Sequence, residues 1–395
     1  MNQYDIVVIG GGAAGIVAAI SAKRKNASVL ICEKMPQLGK KLLITGAGRC
    51  NLSNQKLDAS FYNPEVKTLI ESVFAKFGKN EIEKFFNGLD LAMHSDKGRI
   101  FPRTNQASSV LSILEIELGR LQIPSECNCE IANIQSSADG FILTSKTKKQ
   151  FGSKKVILAG GGKSYPALGS DGNAYSIAKK FGHKLIEPVP SAVPLLMHDT
   201  WCHFLQGQKT TAIVTSVINS THVRKVAGEV LFTKYGISGT AVLDISDDIS
   251  VAFHRHKIKN ISIEIDFIPF LTKNEFVETL TNRLKKGFPP EKIITGIVSN
   301  KFSLPLSFQL KNADVQGIAN LLKNKYFRIN GTRGWNEAEF TAGGIDTSEV
   351  NHRTLESKLQ KGFYLAGEIL DVNGVRGGYN LAWAWASGFV AGLAQ

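Results

Sequence analysis

Nowhere in the 395 residues does an apolar run approach the roughly 20 positions that a helix needs to cross a bilayer, so no membrane span is expected. Cysteine is scarce and odd in number: Cys32, Cys50, Cys127, Cys129 and Cys202. Five thiols without framework spacing argue against a disulfide scaffold. Cys127 and Cys129 form a C-N-C pair, but no second Cys or His pair offers a matching half-site. His94, His183, His254 and His256 form no ligand set either, so no metal is expected. There is no internal repeat and no low-complexity tract. The N-terminus opens directly on a strand without a basic leader, which predicts an untargeted, cytoplasmic protein.

What is present is a globular composition, 43% hydrophobic and 21% charged, on a chain long enough for two or three domains. The formal net charge of +13 is unevenly spread. Residues 192–335 hold 18 Lys/Arg against 11 Asp/Glu, whereas the longer remainder holds 29 against 23. A basic surface attracts nucleic acid, but it also attracts any anionic substrate and aids solubility.

YDIVVIGGGAAGIVAAISAKRKNASVLICEK (4–34) reads as strand, glycine turn, helix, strand. Ile6 to Ile9 form a short unbroken apolar run, as expected of a strand buried on both faces. Gly10, Gly12 and Gly15 match G-x-G-x-x-G, with Ala13 and Ala14 inside the motif, and Glu33 ends the second strand 18 residues after Gly15. Gly10 permits the tight turn, Gly12 lets a pyrophosphate approach the backbone, and Gly15 permits helix–strand contact. The helix N-terminus offers N–H groups and partial positive charge to the phosphates. Glu33 is placed to accept from ribose hydroxyls, with Lys34 beside it. Together these predict a dinucleotide-binding fold.

Two later segments favour FAD over NAD. KKVILAGGGKSY (154–165) is a strand ending in Ala159, Gly160 and Gly161, where the chain returns beside the nucleotide. KGFYLAGEILDVNGVRGGYNLAWAWASGFVAG (361–392) is a strand ending in Gly367 and Glu368, then a glycine-rich loop, then a helix of small and aromatic residues. An acid at that strand end can bind the ribityl hydroxyls. The last helix N-terminus, at Gly377, Gly378, Tyr379 and Asn380, can place N–H groups against the flavin N1–C2=O edge, where negative charge develops on reduction. No second G-x-G-x-x-G turn occurs, so no separate NAD(P)H domain is expected. NAD(P)H, if it is the reductant, docks transiently over the flavin, or another donor is used.

At these residues the chain resembles the BaiN/RdsA family of FAD-dependent oxidoreductases, within the two-dinucleotide-binding-domain flavoproteins. The likeness runs nearly end to end. It includes GGGAAG, TGAGRCNLSN (45–54), GRIFPRTNQASSVL (98–111), GGKSYPALGSDGNAYSIAKKFGH (161–183), GEVLFTKYGISGTAVLDIS (228–246) and AGEILDVNGVRGGYNLAWAWASG. Departures exist: Gly160 stands where the family's strand usually ends Ala-Thr-Gly, and Lys234 and Thr240 replace a usual His and Pro. If that His does chemistry, this chain lacks it. The resemblance implies an α/β fold: a discontinuous Rossmann-like FAD-binding domain, 1–190 plus 336–395, with an insertion at 191–335. The insertion reads independently as a β-barrel-like unit (191–266 and about 325–335) carrying a small helical subdomain (270–325). TTAIVTSVINSTHV and GEVLFTKYG alternate like strands. TKNEFVETLTNRLKK carries a capping box, Thr272 to Glu275, and PPEKIITGIVSNKF and KNADVQGIANLLKN read as two more helices.

TGAGRCNLSN follows an apolar strand and is too polar for a core. In this fold it runs along the cofactor, with Gly46 and Gly48 letting backbone touch it. Arg49, Cys50, Asn51 and Asn54 are then expected near the ring or phosphates, Arg49 and Lys41 as charge partners for the pyrophosphate. Thr45, Asn51 and Asn54 also read as plain loop residues that fix turns. Cys50 is a candidate general acid for conjugate hydride addition, a packing or cofactor contact, or a redox thiol. Arg49 next door is expected to lower its pKa, which favours thiolate over proton donor. Tyr165 and Tyr379 either shield the flavin face or pack in the core, and Trp383 and Trp385 read as structural.

The resemblance implies reduction of an activated C=C bond, most directly a uracil in ribosomal RNA to give dihydrouridine, with the basic insert as an RNA platform. A small-molecule enone reductase is the alternative, and a non-enzymatic RNA-binding protein that keeps FAD as a structural group is the third.

Overall fold

The computed structural model describes residues 1–393, so the end of the 336–395 segment lies outside the described residues. The chain divides into two compact units, Met1–Pro188 with Glu339–Gln395, and Val189–Ala338. In the first unit, β1 (Asn2–Ile9) is buried along its unbroken apolar half and pairs in parallel with β2 (Val29–Cys32). Between them the chain turns at Gly10 into α1 (Ala13–Lys23). Gly10 has φ +102°, and a Cβ there would lie 2.4 Å from the Ala159 carbonyl oxygen, so glycine is required on both counts.

The run before TGAGRC is a single 3₁₀ turn, Leu42–Ile44, and not the strand expected from its apolar character. Gly46 and Ala47 then take left-handed angles, which stop the turn from continuing as a helix. The stretch ends in β3 (Ser53–Asn54), which pairs antiparallel with β5 (Arg99–Pro102), itself paired with β4 (Met93–Asp96). Helices α2 (Lys67–Phe77) and α3 (Lys79–Asn87) precede that hairpin, and α4 (Ala107–Arg120) follows it. The short β6 (Ser125–Glu126) extends the parallel sheet beyond β2. Next, β7 (Ile131–Ser137), β8 (Gly140–Ser145) and β9 (Gln150–Leu158) form an antiparallel meander whose last strand returns parallel to β1. Helix α5 (Asn173–Lys180) and strand β10 (Leu185–Ser191) follow.

The second unit is built on a seven-stranded antiparallel sheet. Its strands are β11 (Leu195–Leu196), β12 (Lys209–Ile218), β13 (Thr221–Thr233), β14 (Gly236–Ser238), β15 (Ile261–Asp266), β16 (Lys325–Arg328) and β17 (Gly331–Thr332). The order β16-β15-β12-β13-β14-β11-β17 begins and ends on strands that are consecutive in the chain, so residues 329–330 join the two edges. Trp201, Phe232, Phe267, Phe302 and Phe327 fill its interior, with ring centroids 5.2–6.3 Å apart.

Two readings of this unit need correction. The 191–266 segment is not uniformly β-rich. After Gly239, α6 (Thr240–Ser250) buries Ala241, Val242, Ile245 and Ile249 on one face, a helical period hidden behind the strand-like residues that precede it. Thr240 uses its hydroxyl to accept from the Glu229 N–H at 3.0 Å. PPEKIITGIVSNKF forms two 3₁₀ turns and not a helix, because Pro289-Pro290 limits its start and Gly296 (φ +76°) breaks its middle. The Thr272–Glu275 capping box does open α7 (Lys273–Lys285), and α8 (Ser307–Lys311) and α9 (Val315–Lys323) complete the helical part.

The chain then returns to the first unit through β18 (Phe340–Ile345). It continues into β19 (Phe363–Leu365), which runs parallel to the second half of β9. The last element, α10 (Tyr379–Gly392), is apolar all round, and it is buried against α1. A Cβ on Gly388 would come 2.2 Å from the Ala14 carbonyl oxygen. Gly388→Ala is therefore expected to destabilise the unit by about 1–3 kcal/mol through overpacking. Gly119→Ala, whose Cβ meets nothing within 4 Å on α4, should leave the chain at least as stable. Thermal unfolding of both variants checks the contrast.

Candidate cofactor-binding site

Two cavities open on the carboxyl edge of the parallel sheet, where α/β folds place nucleotides. The smaller is lined by Gly10, Glu33 and Lys34 on one side and by Cys129, Gly160 and Ala174 on the other. The Glu33 carboxylate is held by two backbone donors, Gly11 N at 2.6 Å and Met35 N at 2.8 Å. It thereby ties the glycine turn to the end of β2. Lys34 reaches across to Asp171 at 2.6 Å. Cys129 meets Cys32 thiol to thiol, and this contact with burial holds Cys32 protonated. No group of three or more His, Cys, Asp or Glu is placed to hold a metal among the described residues.

The larger cavity, about 160 Å³, draws its walls from both ends of the chain. Gly12, Ala13 and Ala14 come from the first turn, Ala159 and Gly161 from the end of β9, and Gly367, Glu368 and Asn380 from the C-terminal segment. Gly12 has no neighbour within 4 Å of where a Cβ would sit, so this cradle is open to a ligand's backbone-hugging group. Lys41 and Glu368, expected at the pyrophosphate and at the ribityl hydroxyls, meet each other: Nζ lies 2.5 Å from Oε2 and also 2.5 Å from Ser164 Oγ. The Glu368 carboxylate further accepts from Thr341 N at 2.8 Å, Gly162 N at 3.3 Å and Ser164 Oγ at 3.3 Å. Thr341 Oγ1 in turn accepts from Lys163 N at 2.8 Å.

The Arg-Cys-Asn stretch lies beside this cavity rather than in its wall. Trp385 Nε1 donates to Leu52 O at 3.0 Å, and Asn54 Nδ2 donates to Gly377 O at 3.0 Å, so residues 52–54 hold the N-terminus of α10 in place. Gly378 (φ +99°) is pressed on the same segment, and a Cβ there would lie 2.4 Å from Ser53 O and 2.7 Å from Asn51 Oδ1. That Asn51 oxygen is buried and has no hydrogen-bond partner, an orphaned acceptor at a helix N-terminus. An open glycine cradle, an anchored acid at the end of β2 and a helix N-terminus with an unsatisfied acceptor fit a dinucleotide with a polar ring.

The structure places this stretch differently from a ligand-facing loop. Arg49 lines neither cavity. It is exposed, lies over the Phe101 ring at 4.8 Å and donates Nε to Gly46 O at 3.3 Å. Cys50, in a stretch judged too polar for a core, is fully buried. Its thiol is not drawn toward thiolate by Arg49: burial pushes it up to about 12, with the Thr45 hydroxyl opposing that only in part. Gly46 and Gly48 line neither cavity, and Tyr379 is buried in a stack on Phe61 at 4.4 Å.

Sequence reasoning gave no cofactor role to several wall residues, reading Thr45 as a loop residue and Trp383 as structural. Thr45, Phe340, Leu381 and Trp383 line the larger cavity, and Trp383 Nε1 donates to Gly367 O at 3.1 Å. Phe340 and Thr341 carry no motif; the Gly343-Gly344 pair just after them is the only local hint that the chain passes close to something there.

A family model described as HI0933-like protein Rossmann domain matches residues 4–394. The chain is 38% identical to a 3-dehydro-bile acid delta(4,6)-reductase of Clostridium scindens, covering 100% of this chain and 99% of that protein. It is 30% identical to a ribosomal RNA dihydrouridine synthase of Escherichia coli, covering 98% of this chain and 96% of that protein. Among solved structures, a 3-ketosteroid delta1-dehydrogenase from Sterolibacterium denitrificans superposes with a TM-score of 0.53 at 13% identity, over 100% of this chain and 99% of the other, a likeness of fold alone.

Replacing Glu33 by Ala removes the acceptor of two backbone N–H groups as well as any ribose contact. Bonds to a charged group contribute about 1.5–3 kcal/mol, so FAD affinity should fall roughly ten- to a hundredfold, with Glu33→Gln intermediate. Titration of the apoprotein with FAD, followed by flavin fluorescence, measures this.

Proposed function

The chain belongs to the HI0933-like Rossmann-domain family and is an FAD-dependent oxidoreductase, and from that premise we propose that it reduces the C5=C6 bond of a uracil in ribosomal RNA. Two full-length relatives named for a bile-acid delta-bond reduction and for dihydrouridine synthesis support C=C reduction as the shared chemistry. The observation that tilts the substrate toward RNA is the concentration of positive charge in the insert, 18 Lys/Arg against 11 Asp/Glu over residues 192–335.

Bound FAD would supply a hydride from N5 to one carbon of the double bond, recharged by NAD(P)H docking transiently. The residues proposed to hold it are those of the two cavities: the Gly10–Gly15 turn at the pyrophosphate, Glu33 and Lys34 on the adenosine side, and Glu368 with Lys41 along the ribityl side. The α10 N-terminus, buttressed by residues 51–54, would offer its N–H groups to the flavin and favour negative charge on it when reduced. The other carbon needs a proton. Cys50 is proposed as its source, acting through Thr45, whose hydroxyl bonds the thiol and lines the cavity and would turn from the Leu42 carbonyl, to which it donates at 2.7 Å, to pass the proton on. A thiol held near 12 keeps its proton at working pH and can deliver it to a carbanion-like centre.

The pH dependence follows from the sign of that shift. The protonated thiol persists as pH rises until it approaches about 12, so no fall in turnover from loss of this proton is expected between about pH 6 and about pH 9. Cys50→Ala should slow the substrate-reduction half-reaction by about 10²–10⁴-fold, the usual contribution of a positioned acid, while reduction of the flavin by NAD(P)H is unchanged. Stopped-flow traces of the two half-reactions separate these outcomes. The substrate itself is tested by nucleoside mass spectrometry of ribosomal RNA from a strain lacking the gene; dihydrouridine retained in full would end the RNA reading.

A small-molecule enone reductase is the second reading, favoured by the 38% identical relative and its bile-acid substrate. It predicts rapid NAD(P)H-dependent turnover of free steroid enones together with unchanged ribosomal RNA in the deletion strain.

A further inference from the structure

We infer that a phenylalanine–lysine patch on the helical part of the insert, centred on Phe288 and Phe308, stacks unpaired bases of a single-stranded RNA segment. The inference rests on the RNA reading above and supplies the surface which that reading lacks.

Exposed aromatics are segregated in this molecule. Among the described residues, the large aromatics that stand in solvent are Phe204, Phe270, Phe288, Phe308 and Tyr326, and all five belong to the Val189–Ala338 unit. Phe308 is 71% exposed and Phe288 42%. The two flank one feature: α8, which carries Phe308, packs on the 290–292 turn that immediately follows Phe288. Arg283 fixes the same place. Its guanidinium lies 5.5 Å from the centre of the Phe288 ring, and its Nη1 donates to the carbonyls of Ile293 (2.8 Å) and Thr295 (2.7 Å).

The surrounding charge is predominantly positive. Residues 279–313 contain six Lys/Arg and one acid, Glu291. Lys285, Lys286, Lys292 and Lys311 are exposed and form no ion pair among the described residues. A surface that leaves several ammonium groups unpaired near solvent-exposed aromatic rings, one of them backed by Arg283, is complementary to a strand of phosphates and bases, because every base offers a π-face and every linkage a negative charge.

Two other occupants fit less well. Protein interfaces are depleted in lysine at their centres, whereas exposed lysines lie within four residues of each ring in the chain, Lys285, Lys286 and Lys292 of Phe288 and Lys311 of Phe308. A membrane-surface helix needs a continuous apolar face, but α7 spends its apolar residues, Phe276 and Leu280, on the interior, while Phe288 sits in a loop and Phe308 on a five-residue helix.

The test uses the full-length, FAD-loaded protein and a fluorescein-labelled RNA hairpin with a uridine-rich single-stranded loop. Phe288→Ala with Phe308→Ala should weaken binding by at least tenfold in anisotropy titrations. Lys285→Glu with Lys286→Glu should weaken it and reduce its salt dependence. Phe204→Ala, elsewhere on the same unit, should bind as the wild type does. Because the changed side chains are exposed, the flavin spectrum, thermal midpoint and NAD(P)H-driven flavin reduction should stay unchanged, which separates lost docking from lost folding. If the double phenylalanine variant binds the hairpin and forms dihydrouridine like the wild type, this surface is wrong while the RNA reading stands. If the wild type binds no RNA and the deletion strain keeps its dihydrouridine, the RNA reading fails and the surface falls with it. Equal affinity for a fully paired duplex, or loss of anionic-vesicle binding in the variants with RNA binding intact, would also overturn the stacking assignment.

Discussion

The nearly backbone-to-backbone contact between the first helix and the last governs the architecture of the nucleotide unit. Gly388 lies against the Ala14 carbonyl and Gly392 against that of Ala18, approaches that any side chain would block. Through them, the glycine turn at one end of the sequence and the Gly367-Glu368 strand end at the other meet around one cavity. Larger side chains at these positions would push the two helices, and the walls they carry, apart. The small residues of both helices therefore set the width of the site as well as its stability.

The stretch TGAGRCNLSN belongs to the same construction. Its glycines and polar side chains suggest a ligand-facing loop, and its neighbours in space explain why most of it is not one. The Leu52 carbonyl is taken by Trp385 and the Asn54 amide by Gly377, partners more than 320 residues away. Such pairings leave no trace in local periodicity, so neither the burial of Cys50 nor the outward turn of Arg49 onto Phe101 was legible. The Lys41–Glu368 pair is hidden for the same reason. By contrast, β1, α1 and β2 were readable because their apolar period changes abruptly at the glycine turn, and Glu33 because it terminates that pattern. In the insert, the Thr272–Glu275 box marked α7 from side chains alone. The period of α6 is masked by the strand residues on its N-terminal side, and the 289–302 segment reads as a helix because its apolar spacing outweighs Pro289, Pro290 and Gly296.

Two thiol environments show how little proximity in sequence says about electrostatics. Cys50 follows an arginine and yet is pushed up by burial, because the guanidinium leaves for solvent and the sulfur goes inward. Cys32 and Cys129, almost a hundred residues apart, are in contact beside the smaller cavity. In both places the direction a side chain takes from the backbone decides its chemistry, and that direction is fixed by packing.

The position of β19 and α10 in the chain also has a consequence in time. Strand β9 keeps the second half of its outer edge unpaired until Phe363–Leu365 has been made, and the larger cavity lacks a wall until α10 follows. During vectorial synthesis, the whole intervening unit emerges before the nucleotide fold can close. The cleft can close around a flavin only once Phe363–Leu365 and α10 have emerged, and a chain interrupted before them would be left with half a nucleotide cleft and an open sheet edge.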